Sequence, residues 1–138
     1  MLASNPAELI GIDLDEPSHR RHVLLESDNS VDLAVGAGDL WVSLFDSDQL
    51  ARVDPRGGKP ATFATGRGPA GVEVRKGIVW VANRTESTLT RIDIRTRRPV
   101  EPEIPVPQNP YDVAAYGDAI WVTSLTDGKI ARVTGLGD

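Results

Sequence analysis

The sequence predicts an all-β chain built from one four-stranded antiparallel unit, repeated about every 40 residues. Three observations carry that reading. Tryptophans recur at Trp41, Trp80 and Trp121, in DLWVSL, GIVWVAN and AIWVTS, with spacings of 39 and 41 residues. Eleven residues after each stands an arginine in an alternating stretch: Arg52 in LARVD, Arg91 in LTRID, Arg132 in IARVT. Another alternating stretch precedes each tryptophan: VDLAVGAG (31–38), AGVEVRKG (70–77) and YDVAAYGD (111–118). Alternation of apolar and polar residues is the pattern of a half-buried strand, and self-similarity at a fixed period marks a repeat architecture.

Each unit therefore reads as strand A, a tight turn, the Trp strand B, a polar turn, the Arg strand C and a more variable strand D. The A–B turns are Gly36 to Asp39, Lys76–Gly77 and Gly117–Asp118, and the last B–C turn is Thr126-Asp127-Gly128-Lys129. Asp-Gly between alternating strands is a strong hairpin signal. The D strands are ATFAT (61–65) and EPEIPV (101–106). Prolines in the latter suit an outermost edge, where a missing N–H does no harm. LIGID (9–13) aligns with LARVD one unit upstream, and RHVLLE (21–26) takes the D position after it. The chain thus reads CD, ABCD, ABCD, ABC as one partial domain: strands C and D over 9–26, then blades over 27–65, 66–106 and 107–136. No stretch has helical periodicity.

A repeated four-stranded antiparallel unit of this length is the blade of a β-propeller. VWVANRTESTLTRIDIRTRRPV followed by VPQNPYDVAA resembles the YVTN-type repeat, and GRGPAGVEV…IVWVAN…LTRID resembles the blades of virginiamycin B lyase-like proteins, kin of NHL repeats. The resemblance covers roughly residues 9 to 136 and is specific for the blade. It implies for lyases of that kind a histidine general base, a glutamate and magnesium on the channel face. This chain has Ser43-Leu44, Ala82-Asn83 and Thr123-Ser124 after the three Trp-Val pairs, and no histidine in any blade body. The lyase chemistry does not carry over, and neither a Ser/His/Asp order nor a carboxylate pair replaces it.

The bulk numbers fit an ordinary globular chain: 138 residues, 40% hydrophobic and 25% charged. A net charge of −5 argues against nucleic acid, since phosphate binding needs a positive field. The short basic run RTRRP (95–99) reads as a solvated loop. Cysteine is absent, which removes disulfides, thiol nucleophiles and Cys-ligated zinc. No run approaches the roughly 20 apolar residues of a membrane helix, so direct membrane insertion is not expected. The first residues lack the basic-then-apolar pattern of a signal peptide. The compartment stays open.

Propellers have about four to eight blades, so three inner strand pairs cannot close a ring. An open arc leaves apolar faces bare at about 1.5–3 kcal/mol per large side chain, against a domain stability of about 5–15 kcal/mol. Either further blades complete the ring, or copies assemble; two copies would supply six inner pairs about a two-fold axis. The expected partner is a second copy, forming a homodimer. RHVLLE of that copy, or less easily of the same chain, would then supply the missing D strand of the last blade, and LIGID has no place.

The repeated tryptophans read as packing between blades. The repeated arginines read as strand-face residues paired with carboxylates such as Asp54 and Asp93. Ligand contacts are expected where the D–A and B–C connections converge on the channel face. The non-repeating residues there are Asp28, Asn29, Asp46, Asp48, Arg67, Asn83, Arg84, Glu86, Asn109 and Tyr111. Of these, Asn29, Asp46, Arg67, Asn83, Arg84, Asn109 and Tyr111 are the candidate ligand-binding residues. TGRGPAG has three glycines but no helix after it, so it is no phosphate cradle. DSD (46–48) lacks the distal Glu of a calcium loop and reads as a turn. His19 and His22, flanked by arginines, read as a C–D loop. Neither metal nor cofactor is expected. The expected role is a non-catalytic binding, sensor or protein-interaction module for a small-molecule or protein ligand. The alternatives are a lyase-like enzyme whose catalytic residues lie outside this chain, and a structural self-assembling module.

Overall fold

The alternating stretches become four antiparallel sheets in a computed structural model that describes residues 7–25, 27 and 29–135. A hairpin of β1 (Glu8–Ile12) and β2 (Arg20–Leu24) comes first. The first full blade runs β3 (Ser30–Gly36), β4 (Asp39–Leu44), β5 (Gln49–Val53) and β6 (Ala61–Ala64), each strand beside the next. A 3-10 turn at Phe45–Ser47 joins β4 to β5. The second blade holds β7 (Pro69–Arg75), β8 (Ile78–Asn83) and β9 (Thr88–Asp93), and the third β12 (Pro110–Tyr116), β13 (Ala119–Ser124) and β14 (Ile130–Val133). This is an all-β fold of partial propeller blades.

One strand assignment differs from expectation. The D strand of the second blade is two short pieces, β10 (Arg98–Pro99) and β11 (Ile104–Pro105), both on β9. Pro99, Pro102 and Pro105 have no N–H to give, so the ladder cannot run through them. RHVLLE pairs with LIGID, Leu9 opposite Val23, as strand D beside strand C. Glu26, Asp28 and Leu136 lie outside the described residues.

Backbone sterics repeat with the sequence. The central turn residues Ala37, Gly38, Lys76, Gly77 and Gly117 have positive φ, the conformation that right-twisted hairpins demand. Seven residues after each tryptophan, Asp48, Ser87 and Gly128 are left-handed too. Every A strand carries a register shift, between Ser30 and Leu33, Pro69 and Val72, and Pro110 and Val113. The N–H freed by the shift finds a hydroxyl on strand B: Asp32 N donates to Ser43 Oγ and Asp112 N to Thr123 Oγ1, each at 3.1 Å. The second blade has Gly71 and Ala82 at these positions. A Cβ on Gly71 would stand 2.5 Å from the Tyr111 carbonyl oxygen, so this glycine lets β7 lie against β12.

Tryptophan and arginine are direct cross-strand partners: Trp41 opposite Arg52, Trp80 opposite Arg91, Trp121 opposite Arg132. Side chains opposite one another share a sheet face, which accounts for the constant offset. Each guanidinium lies over its indole, at 5.9, 5.9 and 5.8 Å from the ring centroid. The expected carboxylate partners were misassigned. Arg52 pairs with Asp39 at 2.6 Å, Arg91 donates to the Pro102 carbonyl, and Arg132 reaches Asp118. Asp54 instead binds Arg56, whose guanidinium and N–H lower its pKa from 3.8 to about 2, and Asp93 accepts from Thr96 N.

The core lies between blades. Trp41 and Leu50 of the first blade pack on Val72, Val79, Val81 and Ile92 of the second. Trp80, Ala82 and Leu89 of the second pack on Val113, Ile120 and Val122 of the third. On the other side of the first blade, Val42, Leu44, Ala51 and Val53 receive Leu9, Val23 and Leu25. Each interface between full blades thus sets the Trp face of one unit on the Val face of the next.

Trp80 is buried against the third blade, whereas Trp121 has no blade beyond it among the described residues. Trp80→Ala is expected to cost about 3–5 kcal/mol in urea unfolding, and Trp121→Ala distinctly less in the monomer. Equal losses would contradict the stacking.

Candidate functional site

Antiparallel order brings the D–A and B–C connections to one end of the sheets and the A–B and C–D connections to the other. The backbone ties the first pair together in each unit. Phe45 N donates to Asn29 O, Arg84 N to Gly68 O and Leu125 N to Asn109 O. The loop face is therefore built by the repeat, and its side chains differ from blade to blade.

One group joins the second and third blades. Arg84 Nε donates to Asn109 Oδ1 at 2.6 Å, and the Arg84 guanidinium lies 5.9 Å from the centroid of the Tyr111 ring. Asn109 Nδ2 in turn donates to Thr126 Oγ1 at 3.0 Å. Asn109 has positive φ, which its short polar side chain tolerates, and this conformation places the amide beside Arg84. Tyr111 is 41% exposed, so one side of its ring faces solvent. No hydrogen bond or ion pair engages the Arg84 Nη atoms among the described residues.

A second group belongs to the second blade. Asn83 has no exposed surface, and its Nδ2 donates to Thr88 Oγ1 at 2.9 Å and Thr90 Oγ1 at 2.8 Å. The two hydroxyls donate onward to the Glu103 carboxylate, at 3.0 and 2.7 Å, and Gly66 N donates to Thr90. A Cβ on Gly66 would meet the Asn83 amide, so the glycine is a packing requirement. Above it, Arg67 N donates to Glu86 Oε2 at 2.8 Å, and the exposed Arg67 side chain lies 4.0 Å from the same carboxylate. Gly68 N is taken by Asp48 Oδ1 at 2.9 Å.

The structure thus brings Arg84, Asn109 and Tyr111 together and sets Arg67 beside Glu86. Asn83 is enclosed in the fold, where solvent does not reach it. Asn29 and Asp46 are exposed on the first blade's loops, with no hydrogen bond or ion pair to the Arg84 group. Glu103, Thr88, Thr90 and Thr126 were not singled out by sequence. The signal for the threonines was their alternation, Thr88-Leu89-Thr90, which puts both hydroxyls on the Asn83 face; Glu103 gave none, since a split edge strand hides which way it points.

A glutamate, Glu86, lies on this face, but among the described residues no histidine stands there. His19 lies in the β1–β2 loop beside Glu16, and His22 on β2 beside Glu8. Among the described residues no three His, Asp or Glu side chains gather as a metal site, so they do not fit a magnesium centre. Asp127, at the edge of the loop face, has its pKa held below the usual carboxylate range by the Ser124 hydroxyl and then by Lys129. Its contribution to stability is present above the ordinary Asp value and fades as pH falls through the lowered one.

Solved structures match this arc. It superposes on a streptogramin B lyase with a TM-score of 0.81, at 17% identity, over 95% of this chain and 46% of that one. The fold is that of β-propeller blades. A catalytically inactive variant of the Staphylococcus aureus virginiamycin B lyase, solved with quinupristin, gives a TM-score of 0.79 at 19% identity, over 95% and 46% of the two chains. A luciferin-regenerating enzyme gives 0.71 at 16% identity, over 99% and 56%. The chain spans about half the length of these propeller-fold structures. No family model and no curated protein matches the sequence. No helix among the described residues is long and apolar enough to cross a membrane.

The Thr90 hydroxyl joins three partners, so Thr90→Val strands the Asn83 amide, the Gly66 N–H and one Glu103 oxygen. The expected loss is about 1–3 kcal/mol of unfolding free energy, read by chemical denaturation. A neutral substitution would show that the network is solvated.

Proposed function

We propose that this chain is a non-catalytic binding module that offers Arg84 to an acceptor group on a ligand. The observation that carries this reading is the Arg84–Asn109–Tyr111 group. One nitrogen of the guanidinium is fixed by Asn109, its plane is set over Tyr111, and its Nη atoms are left for a planar acceptor. Arginine favours carboxylates in this role because its fork presents two parallel N–H donors. The ligand is accordingly a carboxylate-bearing small molecule or peptide with an apolar part to cover the Tyr111 ring.

The loop face supports binding better than proton transfer. A general base near neutral pH calls for histidine or a carboxylate with raised pKa. The carboxylates with shifted values, Asp54, Asp93 and Asp127, are all held lower, and of the histidines His19 stands in the β1–β2 loop and His22 in the middle of β2, neither on the loop face.

A lyase-like activity is the second reading, favoured by the superposition on two lyases over 95% of this chain. It requires catalytic groups from outside the chain.

A calorimetric and thermal-shift screen of aromatic and aliphatic carboxylates and short peptides separates the two. Binders are expected to weaken by tenfold or more in Arg84→Gln, with the ligand-free melting temperature little changed; a charged hydrogen bond contributes about 1.5–3 kcal/mol. Binding indifferent to both Arg84→Gln and Tyr111→Ala would contradict the module, and consumption of quinupristin by the purified chain would favour the enzyme.

A further inference from the structure

The β1–β2 hairpin leaves a cleft against the first blade of about 580 Å³, walled by Leu9, Gly11 and Val23 on one side and Leu40 and Val53 on the other. The repeat identifies what such a space holds. Leu40 and Val53 stand one residue before and twelve after Trp41, as Val79 and Ile92 stand to Trp80. Val79 and Ile92 form the wall on which Trp41 packs. Gly11 is the third residue of LIGID, where LARVD, LTRID and IARVT place the arginine opposite a tryptophan. The cleft is therefore the seat of a tryptophan on a B strand, and the inner edge of β1, which pairs only with β2 among the described residues, is the ladder for that strand. Leu33 and Val35 beside it are 47% and 70% exposed, although their counterparts Val72 and Val74 pack in the next interface.

We propose that the occupant is a second copy of this chain, whose β12–β13 pair enters the position and seats Trp121 in the cleft. The argument is continuity with the interfaces already formed. Two successive contacts inside the chain set a Trp face on a Val face, and the two ends of the arc present the unmatched halves of a third. At one end stands Trp121, partly exposed; at the other, the cleft with Leu33 and Val35. A head-to-tail contact closes into a ring when its rotation allows, and two three-blade arcs make six blades about a two-fold axis. Two copies also match the length of the lyase-like structures, of which one copy covers 46%.

The joined blade has two claimants for its third strand, β1 of one copy and β14 of the other. β1 is anchored through β2, Leu9 and the fully buried Leu25. β14 is a four-residue edge strand whose Ile130 points to solvent. So β1 takes the place and β14 is released. Arg21, opposite Gly11 and lining the cleft, supplies the cation that Gly11 lacks.

Sedimentation velocity of the full chain, from low micromolar to near-millimolar concentration, tests this. Wild type is expected to move from 14.9 kDa to twice that mass. A Cβ on Gly11 meets nothing closer than 3.6 Å, so Gly11→Trp fills the cleft without strain and is expected to give a folded monomer by circular dichroism. Ile130→Glu is expected to dimerise as wild type does, because β14 is outside the joined blade. A wild type that stays monomeric throughout would overturn the proposal and leave the cleft to another strand donor. A dimer that survives Gly11→Trp, or one lost in Ile130→Glu, would overturn it equally.

Discussion

One cross-strand pair organises this molecule: a tryptophan on strand B facing an arginine on strand C. The indole is the largest apolar object in the unit, and it fills the gap between neighbouring sheets. The arginine covers its outer side, worth about 0.5–1 kcal/mol at a half-exposed site, and keeps its charge in contact with water or a carboxylate. Without the indole, the gap between two twisted sheets is left as a cavity and the valines of the next blade lose their packing partner. The glycine at position 71, the hydroxyls on Ser43 and Thr123 and the left-handed turn residues all adjust backbone around that spacing.

Dependence on this pair separates framework from face. Each indole fixes how its blade sits on the next, and the blade ends follow, so the D–A and B–C loops converge wherever the tryptophans stack. Side chains on those loops bear no packing duty and can vary. Arg84, Asn109 and Tyr111 occupy that freedom, whereas Asn83, one residue before Arg84, is drawn into the sheet by Thr88 and Thr90. A single peptide bond thus divides structure from surface.

The architecture was legible because strand alternation and fixed spacing are local signals. Trp41 and Arg52 announce their pairing by an interval that three copies share. Partners that depend on rotamer and twist were not legible. Asp54 is two residues from Arg52 and on the same strand end, but Asp39, thirteen residues away, lies across the ladder and wins. The loop face was placed correctly by topology, while the distinction between enclosed Asn83 and presented Arg84 needed the register of β8 and β9.

Fluorine NMR of the chain carrying 5-fluorotryptophan tests the stacking most directly. At low concentration the account requires two resonances shielded from solvent, Trp41 and Trp80, and one, Trp121, that responds to a solvent-borne paramagnetic quencher. Three equally accessible tryptophans would contradict it.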